Sequence, residues 1–147
     1  MSIDAWLDHA ERVYLDSNIL IYYVEGENPF QDRIGSLLRE AVSRNIPIVI
    51  NEIGVCECLY GTYRLGQPDL EAPYLELLFD TEIFTIAPVS FDLLIASARL
   101  GASKGLKLLD ATHYVSALET GCDHLVTNDR KFRSDADLTV VQIGIVG

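Results

Sequence analysis

The sequence is short of positive charge. Eleven Lys and Arg stand against twenty-two Asp and Glu, for a formal net charge of −11. That excludes a chain that is basic all over and holds nucleic acid by net charge alone. Cysteine is scarce too. Cys56, Cys58 and Cys122 are an odd set, which argues against a disulfide scaffold, and the single C-x-C has no second pair to complete a zinc framework. Buried free thiols are the expectation. Long apolar runs are missing. The best candidate, Ile19-Leu20-Ile21-Tyr22-Tyr23-Val24, is far shorter than the ~18 residues of a membrane-spanning helix. Asp4 and Asp8 interrupt any basic-then-apolar signal pattern, so a cytoplasmic, globular protein is expected. No repeat or low-complexity tract is visible, and there is no G-x-S-x-G, Walker A or G-x-G-x-x-G.

What is present is apolar: hydrophobic residues are 49% of 147, enough for one self-sufficient core, and a single domain over residues 1–147 is expected. Residues 4–11 read as a short helix with Trp6, Leu7 and Ala10 inward. Arg12 to Asp16 reads as a buried strand ending at the aspartate, followed by a helix capped by Ser17 or Asn18. Helical spacing returns at Ile34, Leu37, Leu38, Ala41 and Val42. Pro47 to Ile50 is a second strand, and Asn51 caps a helix running to Leu65. Further helices are expected over residues 69–80, over 91–103 with Leu94, Ile95, Ala98 and Ala102 inward, and over 109–119. Strands are expected at 84–87, 124–127 and 139–143. Short apolar strands alternating with helices predict an α/β sandwich around a mostly parallel sheet of about five strands, with ligands beyond the strands' carboxyl ends.

Four acids stand out. Asp16 and Asp129 each follow a strand. Asp110 opens a helix, where an N-cap is the simple alternative. Glu57 sits on a helix among Val55, Cys56, Cys58 and Leu59, where a charge needs a partner or a metal. Carboxylates gathered at one point repel unless a cation neutralises them, and hard divalent ions such as Mg²⁺ take oxygen ligands. Such an ion polarises a phosphoryl oxygen and generates hydroxide. Thr127 and Asn128 add oxygen ligands and donors, and Arg130 and Lys131 could meet phosphate. His113, one turn beyond Asp110, could orient a carboxylate or touch a phosphate; simple packing is its bland alternative. Six of the eleven basic residues lie between Arg99 and Arg133, near two of the acids.

At these residues the chain resembles PIN domains, specifically the VapC-like toxins of toxin–antitoxin pairs. The resemblance is carried by Leu15-Asp16-Ser17-Asn18-Ile19-Leu20-Ile21, by Glu57-Cys58-Leu59-Tyr60-Gly61, by the stretch from Leu109-Asp110-Ala111-Thr112-His113 to Glu119, and by Val126-Thr127-Asn128-Asp129-Arg130-Lys131-Phe132. All four occur in family order across almost the whole chain. The resemblance implies a PIN-like three-layer α/β/α sandwich, an endoribonuclease dependent on Mg²⁺ or Mn²⁺, frequent homodimers and a small antitoxin protein that occupies the active-site groove. It carries the acidic residues onto Asp16, Glu57, Asp110 and Asp129, and the polar helpers onto Ser17, Asn18, Thr127 and Asn128. Two departures stand out. Eleven residues precede the first strand, as padding for the core or a dimer seam, and the net charge is strongly acidic. The acidity and apolar composition support an alternative, a PIN-like protein-binding or regulatory module with weak or no nuclease activity. A haloacid-type phosphatase is weaker still, since it wants D-x-D after the first strand and Asn18 holds the second place.

Overall fold

A computed structural model describes residues 3–144. The expected domain of 1–147 thus includes residues 1–2 and 145–147, which lie outside the described residues. Five strands, β1 (Val13–Leu15), β2 (Ile48–Asn51), β3 (Phe84–Ala87), β4 (His124–Thr127) and β5 (Thr139–Gln142), form one sheet in the order β3-β2-β1-β4-β5. Every neighbouring pair is parallel. β1, β2 and β4 are buried along their whole length, as strands covered on both faces must be.

Side chains alternate between the faces. Val13, Leu15, Ile48, Ile50 and Val126 point into a core shared with α1 (Ile3–Leu7), α2 (Ser17–Glu25), α3 (Gln31–Ser43) and α4 (Glu52–Arg64). Tyr14, Val49 and Leu125 point into a second core with Leu106, Ala111, Tyr114 and Ala117, at and beyond the junction of α6 (Phe91–Lys104) and α7 (Leu108–Glu119). The result is the expected three-layer sandwich. From β1 the chain winds outward through β2 and β3, then crosses to β4 and β5 on the other side. The reversal falls between β1 and β4, where such sheets open a crevice beyond their carboxyl ends.

Several local expectations change. Asp16 itself caps α2, its carboxylate accepting from the Ser17 amide at 2.8 Å, because the strand ends one residue before it. Asn51 does cap α4, accepting from Gly54 N at 2.8 Å. Asp110 is not an N-cap: α7 starts at Leu108 with Lys107 at the cap, which places Asp110 in the first turn. The helical stretch expected over 69–80 is broken into a 3-10 turn (Pro68–Leu70), α5 (Glu71–Leu75) and a π turn (Glu76–Asp80). The buried face of α6 is Leu93, Ser97 and Gly101, whereas Ile95, Ala98 and Ala102 are exposed. Small residues face inward there because α6 lies close to the start of α7 and the loop that leads to it. A Cβ on Gly101 would stand 2.8 Å from the Leu106 carbonyl oxygen and 3.1 Å from Ala111 Cβ. Cys58 and Cys122 are buried as expected, but Cys56 is exposed on the outer side of α4.

The residues before β1 pad the core. Trp6 and Leu7 are buried, and the Trp6 ring lies 5.2 Å from that of His124 on β4. The Asp123 carboxylate accepts from the amides of Glu11 and Arg12, tying the segment to the sheet. Among the described residues no helix is long and apolar enough to cross a membrane.

Candidate active site and metal centre

Asp16 stands where β1 ends, at the reversal of the sheet. It is only 5% exposed, yet its side chain is well provided with donors. Oδ1 accepts from the Ser17 amide, and Oδ2 accepts from Thr127 Oγ1 at 2.7 Å and from Asn18 Nδ2 at 3.2 Å. These bonds use three of roughly four lone-pair sites on a carboxylate, so an edge remains open to a cation. Burial raises the Asp16 pKa, with Glu57 adding to the rise while His113 and Thr127 oppose it.

Glu57 arrives from α4 with its side chain 31% exposed. Oε1 lies 2.6 Å from His113 Nε2, and among the described residues Oε2 has no hydrogen-bond partner. His113 is fully buried on α7, its Nδ1 2.7 Å from the Tyr14 hydroxyl and its Nε2 3.7 Å from Asp16 Oδ1. Of the two roles expected for His113, orienting a carboxylate fits this geometry. Contact with phosphate does not, because both ring nitrogens are taken and the ring is inaccessible. Burial pushes the imidazole pKa down, but the bond to Glu57 and the charges of Asp16, Glu57 and Asp110 outweigh it and leave the value raised. Donor atoms of Asp16, Glu57 and His113 all lie within 4.8 Å of one another.

Asp110 is half-buried, and its pKa is raised by burial first, then by the charges of Asp16 and Asp129. Glu57 contributes in the same direction. All four acids thus share one electrostatic neighbourhood. Asp129 is half-buried beyond β4, its amide bonded to Thr127 Oγ1 at 3.0 Å and its Oδ1 accepting from the Lys131 amide at 2.9 Å. Asn18 Oδ1 accepts from the Asn128 amide at 3.3 Å, closing a polar clasp between the ends of β1 and β4. Asn128 Nδ2 turns away to the Tyr22 hydroxyl. Hard oxygen donors and the open edges of Asp16 and Glu57 fit a divalent cation between these two side chains, whereas Asp110 and Asp129 lie outside the group of donor atoms within 4.8 Å and bear on it by their charge.

One groove adjoins Glu57, and a separate basic hollow is lined by none of the four acids. A mostly apolar groove of about 630 Å³ runs beside Glu57 and Ser17, lined by Ile21, Ile53, Cys56 and Tyr60 with Arg64. A second hollow, about 300 Å³, gathers Lys104, Lys131 and Arg133 around Tyr114 and Leu106. Lys104 is paired with Asp135 at 3.2 Å. Arg130 is exposed. Sequence alone assigned Tyr14 no role and Asn51 only that of a cap, yet both join the network behind Glu57. No local signal in the sequence separates Tyr14 from an ordinary core residue of a buried strand.

No curated protein sequence matches the chain. Among solved structures the chain is similar to VapBC2 from Rickettsia felis bound to a promoter DNA fragment, at 21% identity and a TM-score of 0.69, covering 89% of this chain and 98% of that one. A toxin–antitoxin complex from Klebsiella pneumoniae aligns at 23% identity and a TM-score of 0.63, over 89% and 97%. VapC20 of Mycobacterium tuberculosis, a sarcin–ricin-loop-cleaving toxin, aligns at 11% identity and 0.62, over 77% and 86%. These likenesses speak to the fold. Residues 13–137 match the PIN domain, and by that match the chain belongs to the PIN domain family.

Proposed function

We propose that the protein is a divalent-metal-dependent endoribonuclease, the toxin of a toxin–antitoxin pair, built as one PIN-like domain over residues 1–147. The observation that carries this reading is the buried cluster at the reversal between β1 and β4, where donor atoms of Asp16, Glu57 and His113 lie within 4.8 Å of one another and the charges of Asp16, Glu57 and Asp129 act on Asp110. Mg²⁺ or Mn²⁺ would be held by Asp16, Glu57, Asp110 and Asp129 and would supply polarisation of the scissile phosphate and a hydroxide from bound water. The chain's own part is to fix donors in advance. Thr127, Asn18 and the Ser17 amide orient Asp16, and His113 orients Glu57. Lys131 and Arg133 offer the RNA backbone a local positive surface on an acidic protein.

The kinship of the fold with toxin–antitoxin complexes supports a small antitoxin as partner, and the groove beside Glu57 is where it would compete with RNA. A homodimer acting in the cytoplasm completes the reading. The test is cleavage of a defined RNA panel in Mg²⁺, in Mn²⁺ and in chelator. Wild type cleaves with metal and not with chelator, and Asp16→Asn is inert while still folded. Equal cleavage by wild type and Asp16→Asn would overturn the assignment. The net charge of −11 and the apolar groove favour a second reading, a PIN-like binding module with weak or no nuclease activity. Robust metal-dependent turnover removes it.

A further inference from the structure

Glu57 is approached from behind by a buried chain of hydrogen bonds. The Asn51 amide donates to the Tyr14 hydroxyl oxygen at 3.0 Å, that hydroxyl meets His113 Nδ1 at 2.7 Å, and His113 Nε2 meets Glu57 Oε1 at 2.6 Å. Tyr14, Asn51 and His113 are all fully buried. The chain has a direction. Because the Tyr14 oxygen accepts from a backbone amide, its own proton is left to donate, and Nδ1 is the acceptor in reach. In the neutral ring the proton then sits on Nε2, facing Glu57. The reverse tautomer would strand the hydroxyl proton in a dry interior and set an imidazole lone pair against a carboxylate, and each fault is costly.

We propose that Tyr14 and His113 are positioning residues for the metal-binding carboxylate Glu57. They hold Oε1 from behind and so turn Oε2 toward the cation. The inference rests on the metal-dependent reading above. Asp16 is short and is fixed by three donors of its own. Glu57 is longer and partly exposed, and its rotamers would otherwise have to be frozen on binding. Neighbouring partners that fix a ligand in this way are worth about ten- to a hundredfold in metal affinity. The backbone makes room for the device. A Cβ on Gly54 would stand 3.3 Å from His113 Cε1 and 2.6 Å from Ile50 Cγ1, so only glycine lets α4 lie against both β2 and the ring.

The test is Mn²⁺ binding to the purified full chain without RNA, followed by electron paramagnetic resonance. His113→Leu is expected to weaken binding about tenfold or more. His113→Gln, whose amide can still donate to Glu57, recovers most of the loss. Tyr14→Phe keeps the ring packed and weakens binding by less than His113→Leu does, and it carries the test alone should His113→Leu fail to fold. In a Glu57→Gln background the Tyr14→Phe loss disappears. Where wild type binds Mn²⁺, three results would overturn the proposal: wild-type affinity in Tyr14→Phe, an equal Tyr14→Phe loss with and without Glu57, or a directly bound nitrogen in the Mn²⁺ spectrum, which would make His113 a ligand. Wild type that binds Mn²⁺ yet cuts no RNA overturns the nuclease reading alone. Wild type that binds no Mn²⁺ overturns both.

Discussion

Thr127 donates its hydroxyl proton to Oδ2 of Asp16 at 2.7 Å, so the last residue of β4 orients the carboxylate at the end of β1. The same hydroxyl oxygen accepts from the Asp129 amide. Thr127→Val keeps the shape, removes both bonds and leaves Oδ2 with Asn18 alone. Cleavage by this variant should fall about tenfold or more, while Thr127→Ser retains most activity. Single-turnover rates at saturating metal decide, and a valine variant as fast as wild type would count against the role.

Asp110 bears repulsion that His113 opposes without overcoming it. No hydrogen bond to its carboxylate offsets the burial and the charges of Asp16 and Asp129 among the described residues. Asp110→Asn should therefore abolish cleavage yet stabilise the metal-free protein, by about 1 kcal/mol or roughly 2–4 °C in Tm for a chain of this size. Thermal melts in chelator and in Mn²⁺ read both sides. The variant melts higher without metal and gains less from it.

Proton linkage has a definite sign here. Asp16 and Asp110 are raised above the ordinary aspartate value, burial leading in each case. Between the unfolded and folded values the folded chain binds more protons, so metal-free stability falls as pH rises through that window. His113 is also raised, by Glu57 and the neighbouring acids against the opposing effect of burial, and acts in the same direction above its ordinary value. In chelator the protein should melt higher at about pH 5 than at about pH 8. Divalent ions compete with those protons, so the rise in Tm on adding Mn²⁺ should be larger at the higher pH. A melting temperature that climbs with pH in chelator would contradict the assignment.

RNA affinity should depend on a few cations rather than on the whole surface. Lys131 and Arg133 line the basic hollow, and Lys131→Ala and Arg133→Ala should raise KM for RNA while leaving Mn²⁺ affinity unaltered. Each loss of a phosphate contact should also lower the slope of log affinity against log salt by about one. Unchanged KM and salt slope in the double variant would move the RNA path elsewhere.

The sheet was legible because its inner strands β1, β2 and β4 are covered on both faces, which leaves short apolar runs such as Ile48-Val49-Ile50. The positions of Asp16 and Asp129 came from where those runs end. The face of α6 was misjudged for the opposite reason. Close packing selected Ser97 and Gly101 for the inside, so size and not hydropathy decided the buried stripe. Helix starts were misplaced by a residue or two at Asp16 and Asp110, where an acid can cap a helix and face a cation with equal ease. The bond from Tyr14 to His113 spans 99 positions, and nothing local marks a strand tyrosine as more than core.

The order of strands has a consequence for synthesis. β1 is made early, but its partner β4 begins at His124, and Asp129 comes later still. A growing chain on the ribosome therefore holds Asp16 and Glu57, from position 57 until position 127, without the Thr127 hydroxyl or the fourth acid. Truncated products that stop before β4 lack half of the clasp around Asp16. The same topology that gathers distant acids also postpones their gathering until β4 has been made.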